Sequence, residues 1–136
     1  MPQNLKDKTI LIVDDDPDVV LAIKMALEDA GAKVFSAPDG AVAVDLNDRE
    51  QPDLVILDMM LPKRSGFLVL DRIKAKKPKG AKPHVIMITG NLGSRHKTYA
   101  ETLGVADYIN KPFRMDRLLT SIEKIFAAPA APPATA

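Results

Sequence analysis

Acidic residues crowd together directly after the first apolar run of the chain. Asp14, Asp15 and Asp16 stand side by side after the sequence TILIV, and Asp18 follows two positions later. Neighbouring carboxylates repel one another, and they are costly to remove from water beside a buried strand. Such a cluster of oxygen ligands is typical of a site for a hard cation, Mg²⁺ or alternatively Mn²⁺.

Further polar side chains follow other apolar runs. Asp58 comes after LVIL, Thr89 ends HVIMIT, and Lys111 follows DYIN. Because ligand sites in open parallel sheets form at the carboxyl ends of the strands, we expect these side chains to share one rim with the acidic cluster. Carboxylates that bind a cation, together with an ammonium and a hydroxyl, favour a site that holds a phosphoryl group.

A structural role competes with function for part of the acidic run. Asp16 precedes Pro17, and proline favours the first helical position, so we interpret Asp16 as an N-cap. Asp18 then lies in the first helical turn, where the helix dipole favours a negative charge. Capping cannot account for both Asp14 and Asp15, which we interpret as functional.

The elements that must position these residues are short apolar runs separated by segments of helical length. Several runs are continuous rather than alternating, as expected for strands buried on both faces of a parallel sheet. The repeated β-α pattern predicts an α/β fold, a doubly wound parallel sheet of five strands with helices on both faces. The predicted strands span residues 9–13, 33–37, 54–57, 84–89 and 107–110.

Two of the intervening helices have clear signatures. The first contains Val20, Ile23 and Leu27 at helical spacing, and Gly31 is expected to cap its C-terminus. The last helix carries one apolar stripe. The stripe consists of Met115, Leu118, Leu119, Ile122, Ile125 and Phe126.

Composition narrows the class of protein. The 136 residues are 46% hydrophobic and 27% charged with a formal net charge of +1, which fits one ordinary domain and gives no global bias toward nucleic acid or membrane. Without cysteine, and without an apolar signal or spanning segment, we expect a soluble cytoplasmic protein. We place the domain at 1–126 and an Ala/Pro-rich tail or linker start at 127–136. The lysine-rich segment 74–83 is interpreted as a solvated loop, with a basic docking patch as the alternative.

The chain resembles the receiver domain of bacterial two-component response regulators. The matching stretches are ILIVDDDPD, PDLVILDMMLPKRSG, VIMITG and DYINKPF, so the resemblance covers nearly the whole chain. The spacings from Asp58 to Pro62, from Pro62 to Gly66 and from Thr89 to Lys111 also fit. The resemblance implies a flavodoxin-like (βα)5 fold with strand order 2-1-3-4-5.

The resemblance also implies roles at the rim. Asp58 would be the phosphoacceptor, and Asp15 and Asp58 would bind Mg²⁺ directly together with the main-chain carbonyl of Met60. Asp14 would help through water. Lys111 would pair with the phosphoryl oxygens.

A switch is implied as well. Thr89 would be the switch hydroxyl and Tyr108 the switch aromatic, with a cis peptide between Lys111 and Pro112. Thr89 would turn toward the phosphoryl group, and Tyr108 would move into the space that it leaves. The chain departs from the usual pattern at Gly90, where alanine is commoner, and in PKRSG, but neither change touches the chemistry.

The implied partners are a phosphodonor, which is a sensor histidine kinase or a histidine phosphotransfer protein, and a downstream protein target. The target would read the face formed by helix 4, strand 5 and helix 5, which also allows a phosphorylation-dependent dimer. We expect no turnover enzyme, but a phosphoacceptor that catalyses its own phosphoryl transfer and slow dephosphorylation. No helix-turn-helix follows Phe126, so we expect no direct contact with nucleic acid.

Two alternatives remain open. In a phosphatase of the haloacid dehalogenase type, the sequence ILIVDDDPDV would supply Asp14 as nucleophile and Asp16 as acid/base, although such enzymes usually need a larger chain and a later acidic pair. A pseudo-receiver would be a protein-interaction module that is never phosphorylated. Pseudo-receivers usually lack one of the rim residues, and this chain has all of them.

Overall fold

The computed structural model of the chain describes residues 5–59, 66–74, 82–90, 94–102 and 104–127. In these ranges five strands alternate with five helices. The strands are β1 (Thr9–Val13), β2 (Lys33–Ala37), β3 (Leu54–Asp58), β4 (His84–Thr89) and β5 (Asp107–Asn110). The helices are α1 (Pro17–Asp29), α2 (Gly40–Glu50), α3 (Gly66–Lys74), α4 (Ser94–Thr102) and α5 (Met115–Ala127).

The five strands form one parallel sheet in the order β2-β1-β3-β4-β5. This order confirms the doubly wound fold and the strand order that the resemblance implies. β3 is one residue longer than predicted because Asp58 still pairs with Ile88 of β4. The phosphoacceptor candidate therefore belongs to the sheet rather than to the loop after it.

The helices cover the sheet in two layers with separate cores. On one face α1 and α5 pack against residues such as Ile56 and Ile86. On the other face α2, α3 and α4 pack against residues such as Leu57 and Met87. Successive residues of each strand point to opposite faces, so the continuous apolar runs fill both layers at about 1.5–3 kcal/mol for each large side chain.

α1 begins and ends as predicted. The Asp16 side chain caps the helix by accepting hydrogen bonds from the backbone N–H groups of Asp18 and Val19, and Pro17 is the first helical residue. At the other end Gly31 adopts a φ of 102°, and its N–H donates to the carbonyl of Glu28 at 2.9 Å. This left-handed conformation favours glycine because it lacks a Cβ. The cap at Asp16 fixes the acidic run at the start of α1.

The last helix, α5, buries Leu118, Leu119 and Ile122 from its predicted stripe. It extends to Ala127, one residue past the predicted domain boundary, and residues 128–136 lie outside the described ranges. Most of the lysine-rich segment, 75–81, lies outside them too. Among the helices that the structure describes, none has the length and hydrophobicity needed to cross a bilayer.

Candidate functional site

Three carboxylates meet at the carboxyl end of the sheet. One oxygen each from Asp14, Asp15 and Asp58 lies within 4.8 Å of the others. Asp14 and Asp58 are each 4% exposed, whereas Asp15 is open to solvent. Oδ1 of Asp14 accepts the N–H of Asp16 at 2.9 Å, which leaves its other oxygen for the site. The structure thus brings together the three predicted metal-binding side chains.

Lys111 reaches into this cluster from the loop after β5. Its Nζ atom lies 3.1 Å from Oδ2 of Asp14 and 3.3 Å from Oδ2 of Asp58. Burial alone would lower the pKa of Lys111, but hydrogen bonds and charge attraction from these two carboxylates outweigh it and raise the pKa. The ammonium is therefore held in its charged form, as the binding of phosphoryl oxygens requires.

The charge at the rim suits a divalent cation. One ammonium faces three carboxylates, so negative charge remains in excess where two of the three carboxylates are buried. Buried like charges are unfavourable unless a cation neutralises them. All three donors are hard oxygens, which Mg²⁺ prefers. The residues present fit the implied metal. Met60, whose carbonyl was expected to be a further ligand, lies outside the described residues.

Backbone contacts fix the position of Lys111. Its N–H donates to the carbonyl of Thr89 at 2.7 Å, which continues the pairing of β5 with β4 beyond the strand. The Lys111–Pro112 peptide is cis, as the resemblance implies. The contacts of its Nζ atom with Asp14 and Asp58 show that the side chain is aimed from β5 back toward β1 and β3.

The end of β3 is packed tightly against the start of α3. The N–H of Gly66 donates to the carbonyl of Met59 at 2.7 Å, and the N–H of Met59 donates to the carbonyl of Ile88 at 2.8 Å. A Cβ at Gly66 would lie 2.6 Å from the carbonyl oxygen of Asp58. Such a distance is far below van der Waals contact, so only glycine fits beside the candidate phosphoacceptor.

The two candidate switch residues lie on neighbouring strands: Thr89 ends β4, which is next to β3 in the sheet, and Tyr108 lies within β5. Thr89 is fully buried and Tyr108 is 8% exposed, with its side chain in the core that faces α2, α3 and α4. Desolvation by burial raises the pKa of Tyr108, and a hydrogen bond with the Thr89 side chain opposes that rise. The hydroxyl of Tyr108 also donates to Sδ of Met59 at 3.9 Å. Both switch residues are therefore adjacent, and Tyr108 points inward.

Sequence reasoning missed the contact with Met59. The register places Asp58 beside Ile88, so the next residues along, Met59 and Thr89, also stand side by side. Strand alternation then puts both on the face that Tyr108 shares. Alternation alone could have indicated this face, but the pairing register was needed to place Met59 next to the switch.

A second set of contacts that was not predicted from the sequence joins β5 to α5. Asp107 accepts two hydrogen bonds from the guanidinium of Arg117, at 3.0 and 3.3 Å, and one from the hydroxyl of Ser121 at 2.6 Å. Burial would raise the pKa of Asp107, but these bonds and that from the N–H of Tyr108 lower it below the ordinary value. Asp107 directly precedes Tyr108, so this clamp fixes the strand that carries the candidate switch aromatic.

Comparison with known proteins points to one family. The profile of the family described as "Response regulator receiver domain" matches residues 10–123. RpaA of Synechocystis, named as a DNA-binding dual master transcriptional regulator, is 36% identical over 116 residues, covering 85% of this chain and 48% of that protein. An uncharacterised 14.6 kDa protein of Leptolyngbya boryana is 36% identical over 110 residues, covering 81% of this chain and 83% of that protein.

Solved structures agree with these relatives. A CheY-like response regulator receiver domain protein from Methanospirillum hungatei superposes with a TM-score of 0.80 at 30% identity, covering 88% of this chain and 94% of that chain. The chain spans about half the length of several curated relatives that it matches. Several are named as transcriptional regulators, so these comparisons do not support the expectation of no nucleic-acid partner.

Proposed function

The chain belongs to the response regulator receiver domain family, and on that premise we propose that it is a signalling switch that accepts a phosphoryl group on Asp58. One observation carries the assignment to this residue. Asp58 is buried at the carboxyl end of β3, with its Oδ2 3.3 Å from the Lys111 ammonium and two more carboxylates beside it.

The reaction is a transfer of the phosphoryl group from a phosphohistidine. The P–N bond breaks, a P–O bond forms to a carboxylate oxygen of Asp58, and the imidazole nitrogen keeps the electron pair of the broken bond. The donor is a sensor histidine kinase or a histidine phosphotransfer protein. Carboxylate is a weak nucleophile, so the work of the site is positioning and charge neutralisation.

Two groups of residues divide this work. Asp14, Asp15 and Asp58 would hold Mg²⁺, which neutralises charge on the incoming phosphoryl group when it is bound. Lys111 would supply an ammonium to the phosphoryl oxygens. The bond from its N–H to the carbonyl of Thr89 fixes its main chain, and Asp14 and Asp58 hold its ammonium, so little reorganisation is needed when the phosphoryl group arrives.

Phosphorylation changes the surface of the domain through the switch residues Thr89 and Tyr108. An acyl phosphate adds about −1.5 to −2 charge at a crowded rim. Thr89 turns to bond a phosphoryl oxygen, its bond to Tyr108 is released, and the face formed by α4, β5 and α5 changes. A downstream protein, or a second copy of the chain, reads that face. The chain acts as a phosphoacceptor with slow self-catalysed dephosphorylation rather than as a turnover enzyme.

Labelling with a small phosphoryl donor tests the proposal. Wild-type protein treated with phosphoramidate and Mg²⁺ should gain one phosphoryl group by intact mass, and chelation of Mg²⁺ should prevent it. Asp58→Asn should take no label, whereas Asp48→Asn, an exposed aspartate on α2, should label like the wild type. Wild-type protein that stays unlabelled in Mg²⁺ would instead support an unphosphorylated interaction module.

A further inference from the structure

We propose that Met59 is a positioning residue that holds the hydroxyl of Tyr108 inside the fold and thereby sets how readily the switch responds to Asp58. The inference rests on the proposed function, because it concerns the same phosphoacceptor and switch. It adds a third member, a thioether, to the pair formed by Thr89 and Tyr108.

The contact is buried on both sides. Tyr108 donates its hydroxyl hydrogen to Sδ of Met59 at 3.9 Å, and the exposed fractions of the two side chains are 8% and 3%. Both belong to the core cluster against α2, α3 and α4. A hydroxyl removed from water needs a partner, and a thioether is a weak but polarisable acceptor. Met59 therefore gives the buried hydroxyl a second partner besides Thr89.

The backbone ties Met59 to the phosphoacceptor. Met59 directly follows Asp58, and its N–H and carbonyl are both engaged, by Ile88 and Gly66 at 2.8 and 2.7 Å. A backbone movement at Asp58 is therefore passed directly to Met59. The side chain of Met59 thus connects the strand that carries the phosphoacceptor with the aromatic ring on β5.

The thioether also affects how easily the Thr89 side chain turns toward a phosphoryl oxygen. When Thr89 turns toward a phosphoryl oxygen, it gives up its bond to Tyr108. Met59 keeps the tyrosine hydroxyl bonded during that step, which lowers the cost of the turn. With leucine at this position the volume stays similar but the acceptor is lost. Tyr108 would then depend on Thr89, and release of Thr89 would become less favourable.

Fluorine NMR of protein labelled with 3-fluorotyrosine tests the positioning role without any phosphoryl transfer. The chain has two tyrosines, and Tyr99 is 52% exposed, so its resonance is an internal reference. In Met59→Leu the Tyr108 resonance should shift because its hydroxyl loses the thioether and keeps Thr89 alone as partner, while Tyr99 stays unchanged. Met87→Leu is the matched control, since Met87 lies in the same cluster and pairs with Tyr108 in the strand register.

A double-mutant cycle on the labelling rate separates the bond from mere packing. Met59→Leu should slow labelling by phosphoramidate about two- to tenfold, the range that corresponds to one contact between a thioether and an aromatic side chain. In the Tyr108→Phe background the same change should have no effect. Equal slowing in both backgrounds, or a Tyr108 resonance that shifts equally in Met59→Leu and Met87→Leu, would overturn the role of Met59. Failure of the wild type to label would contradict the proposed function instead, and the fluorine measurement would still decide on Met59.

Discussion

The ammonium of Lys111 lies 3.1 Å from Oδ2 of Asp14, although the two residues are 97 positions apart in the chain. The contact spans the sheet from the loop after β5 to the end of β1, and Asp58 of β3 lies between them, 3.3 Å from the same nitrogen. One positive charge is thus shared by two buried carboxylates from different strands. Because one ammonium faces three carboxylates, the rim keeps an excess of negative charge that a bound cation would neutralise.

Mg²⁺ should stabilise the folded chain, because it relieves repulsion among the three carboxylates at the rim. At ten times the dissociation constant the gain is about 1.4 kcal/mol, which corresponds to a rise of about 5 °C in Tm. Asp15→Asn should lose most of this rise in a calorimetric scan. Asp48→Asn on the exposed face of α2 should keep it. An identical rise in Asp15→Asn and the wild type would place the ion elsewhere.

Removal of Lys111 should change how stability depends on alkaline pH. The folded state raises the pKa of Lys111, so proton binding favours folding, and this contribution is lost as the pH rises through the raised pKa. Between about pH 9 and about pH 11.5 the free energy of unfolding should fall more steeply for the wild type than for Lys111→Met. Urea titrations at each pH measure this free energy of unfolding.

The control for this comparison is Lys82→Met. Nζ of Lys82 lies 3.4 Å from a carboxylate of Asp53, in a pair that is more exposed than the one at the rim. The free energy of unfolding of Lys82→Met should fall with pH as steeply as that of the wild type. If Lys111→Met shows the wild-type slope as well, the two buried carboxylates do not hold the ammonium in its charged form.

Gly66→Ala should destabilise the fold although alanine is the better helix former. Its Cβ would lie 2.6 Å from both the carbonyl oxygen of Asp58 and Cα of Met59, and backbone atoms cannot move aside cheaply. Overpacking of this kind costs about 1–3 kcal/mol. Gly90→Ala is the matched control, since a Cβ there meets nothing within 4 Å. Equal urea midpoints for the two variants would refute the tight packing under Asp58.

The clamp between Asp107 and Arg117 should contribute to stability at neutral pH and less in acid. The folded state lowers the pKa of Asp107, so its contribution is present above the ordinary aspartate pKa and is lost as the pH falls through the lowered value. Arg117→Met should therefore lose less stability than the wild type between about pH 5 and about pH 2.5. Because Arg117 is half exposed, the loss at neutral pH should stay at or below about 1 kcal/mol.

Arg114→Met gives the matched comparison for the clamp. Arg114 pairs with Asp116 at 3.3 Å, but both side chains are largely exposed. Solvent screening should leave this pair with little net effect at any pH. Acid titration curves of the two arginine variants that coincide would mean that the clamp is no stronger than an ordinary surface pair.

The fold could be predicted well from the sequence because its local signals are strong. Continuous apolar runs such as TILIV and HVIMIT are needed only by strands buried on both faces, and the predicted strand bounds differ from the structure by one residue, at Asp58. The order of the strands could not be predicted in this way, because the same apolar runs would be buried in any order of parallel strands. It came from the resemblance rather than from the residues.

The charged part of the site could be predicted because each member follows a strand, and strand ends converge. The contacts that position these charged residues could not be predicted from the sequence. Met59 reads as one more apolar residue after β3, and its contact with Tyr108 depends on the pairing of β3, β4 and β5. Asp107 and Arg117 are ten positions apart in the chain, and only the packing of α5 on β5 joins them.

The most direct test is to find which aspartate carries the phosphoryl group. Protein treated with phosphoramidate in Mg²⁺ is reduced with borohydride, which converts an acyl phosphate to an alcohol, and the digested peptides are then sequenced by mass spectrometry. Conversion is expected at Asp58 alone, with none in Asp58→Asn. Conversion at Asp14 would instead support a nucleophile of the phosphatase type, and an unmodified digest would contradict phosphoryl transfer to this rim.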